Sequence, residues 1–533
     1  MTNTISRLNR LIPWRDGLRA GLAALAVAVM LGTGGIAAAQ TPQTPPVVAT
    51  PPADAAAPED VPVVEPVVEQ TPAVEEVVAD VVEEPAAIPV PDKGDTTWML
   101  VSTVLVLLMI VPGLALFYGG LVRSKNMLSL LMQVSTVTVI GMLAWAIYGY
   151  SLSFTDGGGL NKFIGGASKV FLNGVNYATL VETFSVGVYL PELVFVAFQM
   201  TFACITAALV LGGTAERLKF SGVVIFAVLW PLLSYYPIAH MVWWWAGATS
   251  AVGQTATDLA NGAGQIWAWG AIDFAGGTVV HINAGIAALV GAIVLGKRSG
   301  YKTEPMPPHS LTFTFVGAGL LWVGWFGFNA GSNLEANGYA ALAMMNTLLA
   351  TAAAGLSWVL TEWVTRRKPS MLGLASGIVA GLVAITPAAG FAGPMGAIVL
   401  GLIVSPVCLL FCAAIKNALK YDDSLDAFGI HAIGGIIGAI GTGIVVDPAL
   451  GGAGIVDFST CDAATATCGA LEYNMASQVS FQAMGVGLTV VWSAVASFIV
   501  WYAVKLLTGG RVKQEVEEEG LDINEHGEVA YHS

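Results

Sequence analysis

Charge is scarce in this chain. Asp, Glu, Lys and Arg make up 11% of its 533 residues, against about a quarter in an ordinary soluble domain. Hydrophobic residues account for 55%, and the mean hydropathy is +0.72. That balance excludes a soluble globular protein. Histidine is also sparse, with six residues, and there are five cysteines. No metal-ligand cluster, nucleophile elbow or phosphate loop is spelled out, so neither an enzyme nor a cofactor nor a metal is expected. With a formal net charge of −14, no nucleic-acid partner is expected either. What is plentiful is glycine, 62 residues, which suits helices that approach closely through small side chains. The composition implies an all-α polytopic membrane protein in a lipid bilayer.

The first 95 residues differ from the rest. Arg7, Arg10, Arg15 and Arg19 precede the apolar run "GLAALAVAVMLGTGGIAAA", which ends in Ala37-Ala38-Ala39. A basic start, an apolar run and a small-residue site describe a bacterial-type signal peptide over 1–39. The competing reading is an uncleaved anchor, and both place residue 40 outside the cytoplasm. Residues 40–95 are rich in Pro, Val and Glu. From 41 to 95, twelve acids face the single base Lys93, so this stretch carries −11 of the total charge. Proline and self-repelling glutamate disfavour a packed core, and a disordered acidic periplasmic segment is expected.

From residue 96 to 510 the chain reads as a membrane domain. Apolar runs of about 20 residues fall at 98–120, 129–153, 191–213, 220–240, 270–296, 310–330, 339–362, 371–389, 393–415, 429–447 and 479–507, giving eleven spans. With residue 97 outside, the inward loops carry twelve Lys and Arg and the outward loops only Lys162 and Lys169. The bias predicts an N-out, C-in topology, with residues 511–533 as a cytoplasmic tail. Cys204, Cys408 and Cys412 fall within spans and read as small core residues. Cys461 and Cys468 flank "DAATAT" in the last outward loop, an oxidising compartment, and a disulfide between them is expected.

Two histidine segments resemble each other. "HINAGIAALVG" (281–291) and "HAIGGIIGAIG" (431–441) share Gly at +4, Ile at +5 and Gly at +10, and each follows an Asp and a Phe: Asp273 and Phe274, Asp426 and Phe428. The two helices run in opposite directions and lie five spans apart. Spans 1–5 and 6–10 are therefore expected to form an inverted repeat. Asp273 should sit at the outer end of span 5, with His281 roughly 12 Å deeper at about 1.5 Å per helical residue. His281 and His431 would then meet near the midplane. Ionisable side chains at that depth usually mark a pathway, although a histidine that only bonds two helices together is the plainer alternative.

At these residues the sequence resembles the ammonium transporter (Amt/Mep/Rh) family, its bacterial Amt branch in particular. The matching strings are "FQMTFA" (198–203), "AERLKF" (215–220), "HMVW" (240–243), "DFAGGTVVHIN" (273–283), "GWFGFNAGS" (324–332), "DAFGIH" (426–431) and the tail "EGLDINEHGEVAY" (519–531). The resemblance implies that Trp243, Phe202 and Ser332 recruit ammonium, or its analogue methylammonium, at an outer vestibule. It further implies that Phe202 and Phe328 stack as a gate, that His281 and His431 line the pore, and that Asp273 is the acid beside the vestibule, with a helix-capping role as an alternative. A homotrimer in the bacterial inner membrane is implied, as is a PII-type signalling protein as cytoplasmic partner of the tail. Residues 243–245 read Trp-Trp-Trp, so which indole takes the recruiting role is open. The outward segments around 155–190, 246–268 and 448–478 are longer than the family core. Two rival functions remain: an ammonium sensor, and an ion-coupled secondary transporter of another small solute. The second would call for several buried carboxylates, where Asp273 stands nearly alone.

Overall fold

A computed structural model describes residues 90–532. The signal peptide and most of the acidic segment lie outside those residues. Eleven described helices are long and apolar enough to cross a membrane: α1 Lys93–Leu121, α2 Ser124–Phe154, α3 Glu192–Thr214, α4 Phe220–Trp243, α5 Gly277–Leu295, α6 Leu311–Gly331, α7 Gly338–Arg366, α8 Met371–Ala388, α9 Pro394–Leu419, α10 Phe428–Val445 and α11 Met475–Thr508. The protein is a multi-pass membrane protein with the expected number of spans. α1 starts before residue 95, where Asp92 caps it by accepting the Asp95 N–H at 2.9 Å. The boundary expected after residue 95 thus falls inside its first turn.

α5 corrects the sequence reading most. It begins at Gly277, not near 270, because Asp273 ends an extended approach. Its carboxylate accepts the N–H groups of Gly276, Gly277, Thr278 and Val279 at 2.7–3.1 Å. Those are the donors that a helix start leaves without intrahelical partners. Gly276, at φ 110°, makes the turn that lets one side chain reach all four. His281 therefore lies little more than one turn into the helix, and the 12 Å spacing drawn from continuous helix does not apply.

α10 opens the same way, with a different acid. Asp423, eight residues before His431 as Asp273 is before His281, accepts the Ala427 and Phe428 N–H groups at 3.1 and 2.8 Å. Asp426, the acid matched in sequence, instead pairs with Lys416 at 2.7 Å. Both helices begin with a π-turn that contains the histidine, Gly277–Ile282 and Phe428–Ala432. Such widened turns recur at functional positions. The two helices touch through glycine: a Cβ on Gly285 would lie 2.3 Å from the Ala432 nitrogen. α11 seals this pair, with Trp501 stacked on Phe226 of α4 at 4.6 Å and donating to the Ala287 carbonyl of α5.

At one end of the helix bundle, strands β1 (Leu180–Glu182) and β2 (Tyr189–Pro191) form one hairpin and β3 (Val456–Asp462) with β4 (Thr467–Ala470) another. Cys461 and Cys468 face each other across the second, their sulfurs at bonding distance, 1.94 Å.

The opposite face is knitted by charge. Glu216, with its side chain 1% exposed, accepts from Arg123 (3.0 Å), Asn126 (2.9 Å) and Arg298 (2.6 Å), and Arg298 also grips Asp422. The tail folds onto the same face. Its Asp522 accepts the Leu128 and Ser129 N–H groups at the start of α2, and Glu525 accepts the Phe220 N–H at the start of α4. The short helix α12 (Gln514–Glu519) turns Glu517 inward to Arg511 and the Ser299 N–H. Of the acidic run 515–519 in the tail, Glu515, Glu518 and Glu519 are exposed, while Glu517 is buried and paired with Arg511.

Candidate functional site

The phenyl groups come from two helices that run through apolar surroundings. Phe202 on α3 and Phe328 on α6 are both fully buried and stack with ring centroids 4.1 Å apart and planes 9° apart. The face-to-face pair leaves no gap between the rings, so it plugs whatever path passes there. On one side of it stands Trp243, edge-on to Phe202 at 6.0 Å. The indole is oriented by its Nε1–H, which donates to the Asp273 carbonyl at 2.9 Å. Asp273 thereby sets both the start of α5 and the pose of Trp243.

The tryptophan triplet is separated by its contacts. Trp244 stacks on His240 at 5.7 Å. Trp245 packs against Phe184, Trp267 and Phe458, next to the Cys461–Cys468 hairpin. Among the three indoles, only Trp243 contacts the phenyl pair. Ser332, at the end of α6, is 9% exposed, and its hydroxyl donates to the Phe328 carbonyl at 2.8 Å. With its proton so engaged, the oxygen keeps its lone pairs for an incoming donor.

On the other side of the phenyl pair lie the two histidines. The His281 and His431 rings are 5.4 Å apart and 18° from parallel, and His281 is 6.1 Å from the Phe328 ring. They are 1% and 4% exposed. Both ring nitrogens of His281 and Nδ1 of His431 have no protein hydrogen-bond partner. Buried polar atoms are nearly always satisfied, and here the neighbours are Leu114, Ile205, Leu209, Leu321, Val379 and Phe328, which offer nothing. The free space between these groups admits the centre of a water-sized molecule over about 10 Å³, which is room for a single small molecule. Such a site can hold one small neutral species that both donates and accepts hydrogen bonds. It cannot replace the hydration shell of an ion.

The structure thus brings Trp243, Phe202, Phe328, His281 and His431 into one row of ring contacts, with Asp273 bonded to Trp243 and Ser332 to Phe328. Cys461 and Cys468 stand apart from it. Sequence reasoning missed Trp325. Its ring stacks on His281 at 5.3 Å and 18°, and its Nε1–H is held by Thr386 Oγ1 at 2.9 Å. One signal was available: Trp325 lies one helical turn before Phe328 in "GWFGFNAGS" and so on the same face.

Comparison with known proteins gives a consistent picture. The model of the Ammonium Transporter Family matches residues 97–531. An ammonium transporter of Aquifex aeolicus is 44% identical over 444 residues, covering 83% of this chain and 94% of that relative. One of Bacillus subtilis is 42% identical, covering 82% and 98%. Among solved structures, Mep2 of Saccharomyces cerevisiae superposes with a TM-score of 0.67 at 33% identity, covering 80% of this chain and 91% of that one. A protein described as "Sensor Amt Protein" does so with 0.69 at 27% identity, covering 81% and 98%.

Proposed function

The chain belongs to the ammonium transporter family, and from that premise we propose that it recruits ammonium at Trp243, strips a proton at the phenyl gate and conducts ammonia past His281 and His431. The observation that carries this reading is the single-molecule cavity next to stacked Phe202 and Phe328, where buried imidazole nitrogens have no protein partner.

Each step has a physical reason. The face of an indole attracts a cation by about 0.5–2 kcal/mol, and the Ser332 oxygen accepts one N–H. Any cation of similar size is attracted equally, so recruitment alone does not select. Selection comes from the gate and the apolar bore, where an unsolvated ion is penalised by many kcal/mol. Ammonium escapes that penalty by leaving a proton behind. Ammonia then finds acceptors and donors on the imidazoles, and the stacked pair can also relay the proton. Asp273 contributes negative charge beside the vestibule while it holds Trp243 in place.

The matching openings of α5 and α10 support an inverted repeat, spans 1–5 against 6–10, with the histidines near its pseudo-two-fold axis. The excess of Lys and Arg in alternate loops supports an N-out, C-in arrangement in a bacterial inner membrane, with the acidic N-terminal segment periplasmic. By kinship we take the assembly to be a homotrimer with one pore in each subunit. The tail regulates conduction and offers its exposed acids to a PII-type protein on the cytoplasmic face. A sensor is the second reading, favoured by the likeness to the structure described as "Sensor Amt Protein".

Purified protein in sealed liposomes tests the function. An inward ammonium gradient should drive a flux that an equal potassium gradient does not. Ammonium binding without any flux would favour the sensor, and equal ammonium and potassium fluxes would overturn the pore mechanism.

A further inference from the structure

Three residues beyond Ser332 lies Glu335, in the turn between α6 and α7. It is 6% exposed. One carboxylate oxygen, Oε2, accepts from the Ser185 hydroxyl at 2.8 Å and from the Asn337 side-chain amide at 2.9 Å. The other, Oε1, is fully buried and has no protein partner. Among the described residues no Lys or Arg lies within ion-pair distance of Glu335. A second carboxylate, Asp95, likewise without a basic partner, accepts the N–H of the next residue, Ala336, at 2.7 Å. Burying a carboxylate without a counter-charge is costly, and truncating a partner of a buried charge costs more than a neutral bond. Nothing in the fold of this turn requires a carboxylate at 335, since an amide would serve the Ser185 and Asn337 donors as well.

The surroundings place this acid on the same side of the bundle as the tryptophan triplet. Ser185 follows Phe184, whose ring stacks on Trp245 at 6.2 Å, two residues past Trp243. Glu335 is therefore held between the segment that carries Ser332 and the hairpin that packs against the tryptophan triplet. Oε1 and the lone pairs of the Ser185 hydroxyl are the acceptors left over, and a small cation rich in N–H donors matches them.

We propose that Glu335 and Ser185 form a cation-binding station at the outer mouth, which takes ammonium before Trp243 and Ser332 receive it. The inference rests on the transport reading above and adds a binding site to it. A carboxylate held there raises the local concentration of cations at the mouth, and the N–H donors of ammonium can bond both Oε1 and the Ser185 oxygen.

Steady-state ammonium currents from proteoliposomes provide the test, for wild type, Glu335→Gln and Ser185→Ala, each over a full range of ammonium chloride. In Glu335→Gln the half-saturating ammonium concentration should rise about fivefold or more, as expected when a charge-assisted hydrogen bond is lost. The change should fall on half-saturation rather than on maximal current. Ser185→Ala keeps the charge and loses one anchor, so it should shift the same quantity less, and it reports on the station even if Glu335→Gln folds poorly. Half-saturation equal to wild type in either well-folded variant, or a loss confined to maximal current, would overturn the station. Replacing choline chloride with sodium chloride at constant ionic strength distinguishes the occupant. No effect of sodium is expected. A sodium-induced rise in wild type that vanishes in Glu335→Gln would assign the site to a metal cation instead. Absence of any ammonium-driven flux in wild type, as current or as electrically silent ammonia, would count against the transport reading itself.

Discussion

Replacing Glu216 with glutamine removes one negative charge from the centre of the face opposite the Cys461–Cys468 hairpin. Burial by itself pushes this carboxyl up, but Arg298 and Arg123 more than reverse that and hold it at about 2, against an ordinary 4.5. A carboxylate held that far down is bound about 3 kcal/mol more tightly in the folded than in the unfolded chain. Its side chain is 1% exposed, so solvent screening removes little of this. The pKa is depressed on folding, so the contribution is complete above about 4.5 and disappears as the pH falls through 4.5 towards 2. Glu216→Gln should therefore cost about 3 kcal/mol at neutral pH, within the range seen when one member of a buried ion pair is removed. Asp423 works in the opposite sense. Burial, with Asp426 adding and Lys416 opposing, raises it to about 6, so its share of stability falls as the pH rises from the ordinary 3.8 to about 6. That term is common to both proteins and cancels in their difference. The assay is the melting midpoint in detergent at one fixed scan rate, because membrane proteins often unfold irreversibly. The midpoints should lie several degrees apart at pH 7 and converge towards pH 3. Glu515→Gln, on the exposed side of α12, should melt like wild type throughout. A Glu216→Gln deficit that does not change with pH would show that lost packing, not the charge, carries the effect.

Cys461 and Cys468 should resist thiol labelling in denatured, non-reduced protein and label only after reduction; two labelled cysteines in that hairpin would refute the bridge. Truncation after Gly510 should reduce conduction and abolish PII binding, because it removes Asp522 and Glu525 from the starts of α2 and α4. Unchanged flux together with unchanged PII binding would dismiss a regulatory tail.

Much of the fold was legible in sequence because hydropathy reports directly on lipid contact. Eleven apolar runs became eleven helices. Hydropathy does not report where a side chain replaces the backbone's own partners. That is why α5 was extended to 270 although Asp273 stops it at Gly277, and why Asp426 was matched where Asp423 makes the cap. Both acids sit close before an apolar run, and only the hydrogen bonds distinguish them. The line of Trp243, Phe202, Phe328, His281 and His431 could be read from motif strings, yet composition alone would not have aligned residues from α3, α4, α5, α6 and α10. The three indoles of 243–245 were indistinguishable until their stacking partners were known. Trp325 looked like one more apolar residue on its helix. Glu335 was passed over because a lone acid between two spans reads as a solvated loop residue, and only its burial sets it apart. Composition alone does not show that Glu517, Asp522 and Glu525 of the tail bond the bundle face that carries Glu216.

The central claim is that the histidines carry the nitrogen of ammonium through a bore closed to other cations. Ammonium-driven current and potassium flux, recorded in liposomes for wild type, His281→Ala/His431→Ala and His281→Asp, test it most directly. The double alanine variant removes the hydrogen-bonding groups from the bore, so its ammonium current should collapse or give way to electrically silent ammonia flux. His281→Asp should admit potassium, because a carboxylate offers a cation a partner beneath the phenyl gate. A double variant that keeps the wild-type ammonium current with potassium still excluded would contradict the account and reduce both histidines to packing residues.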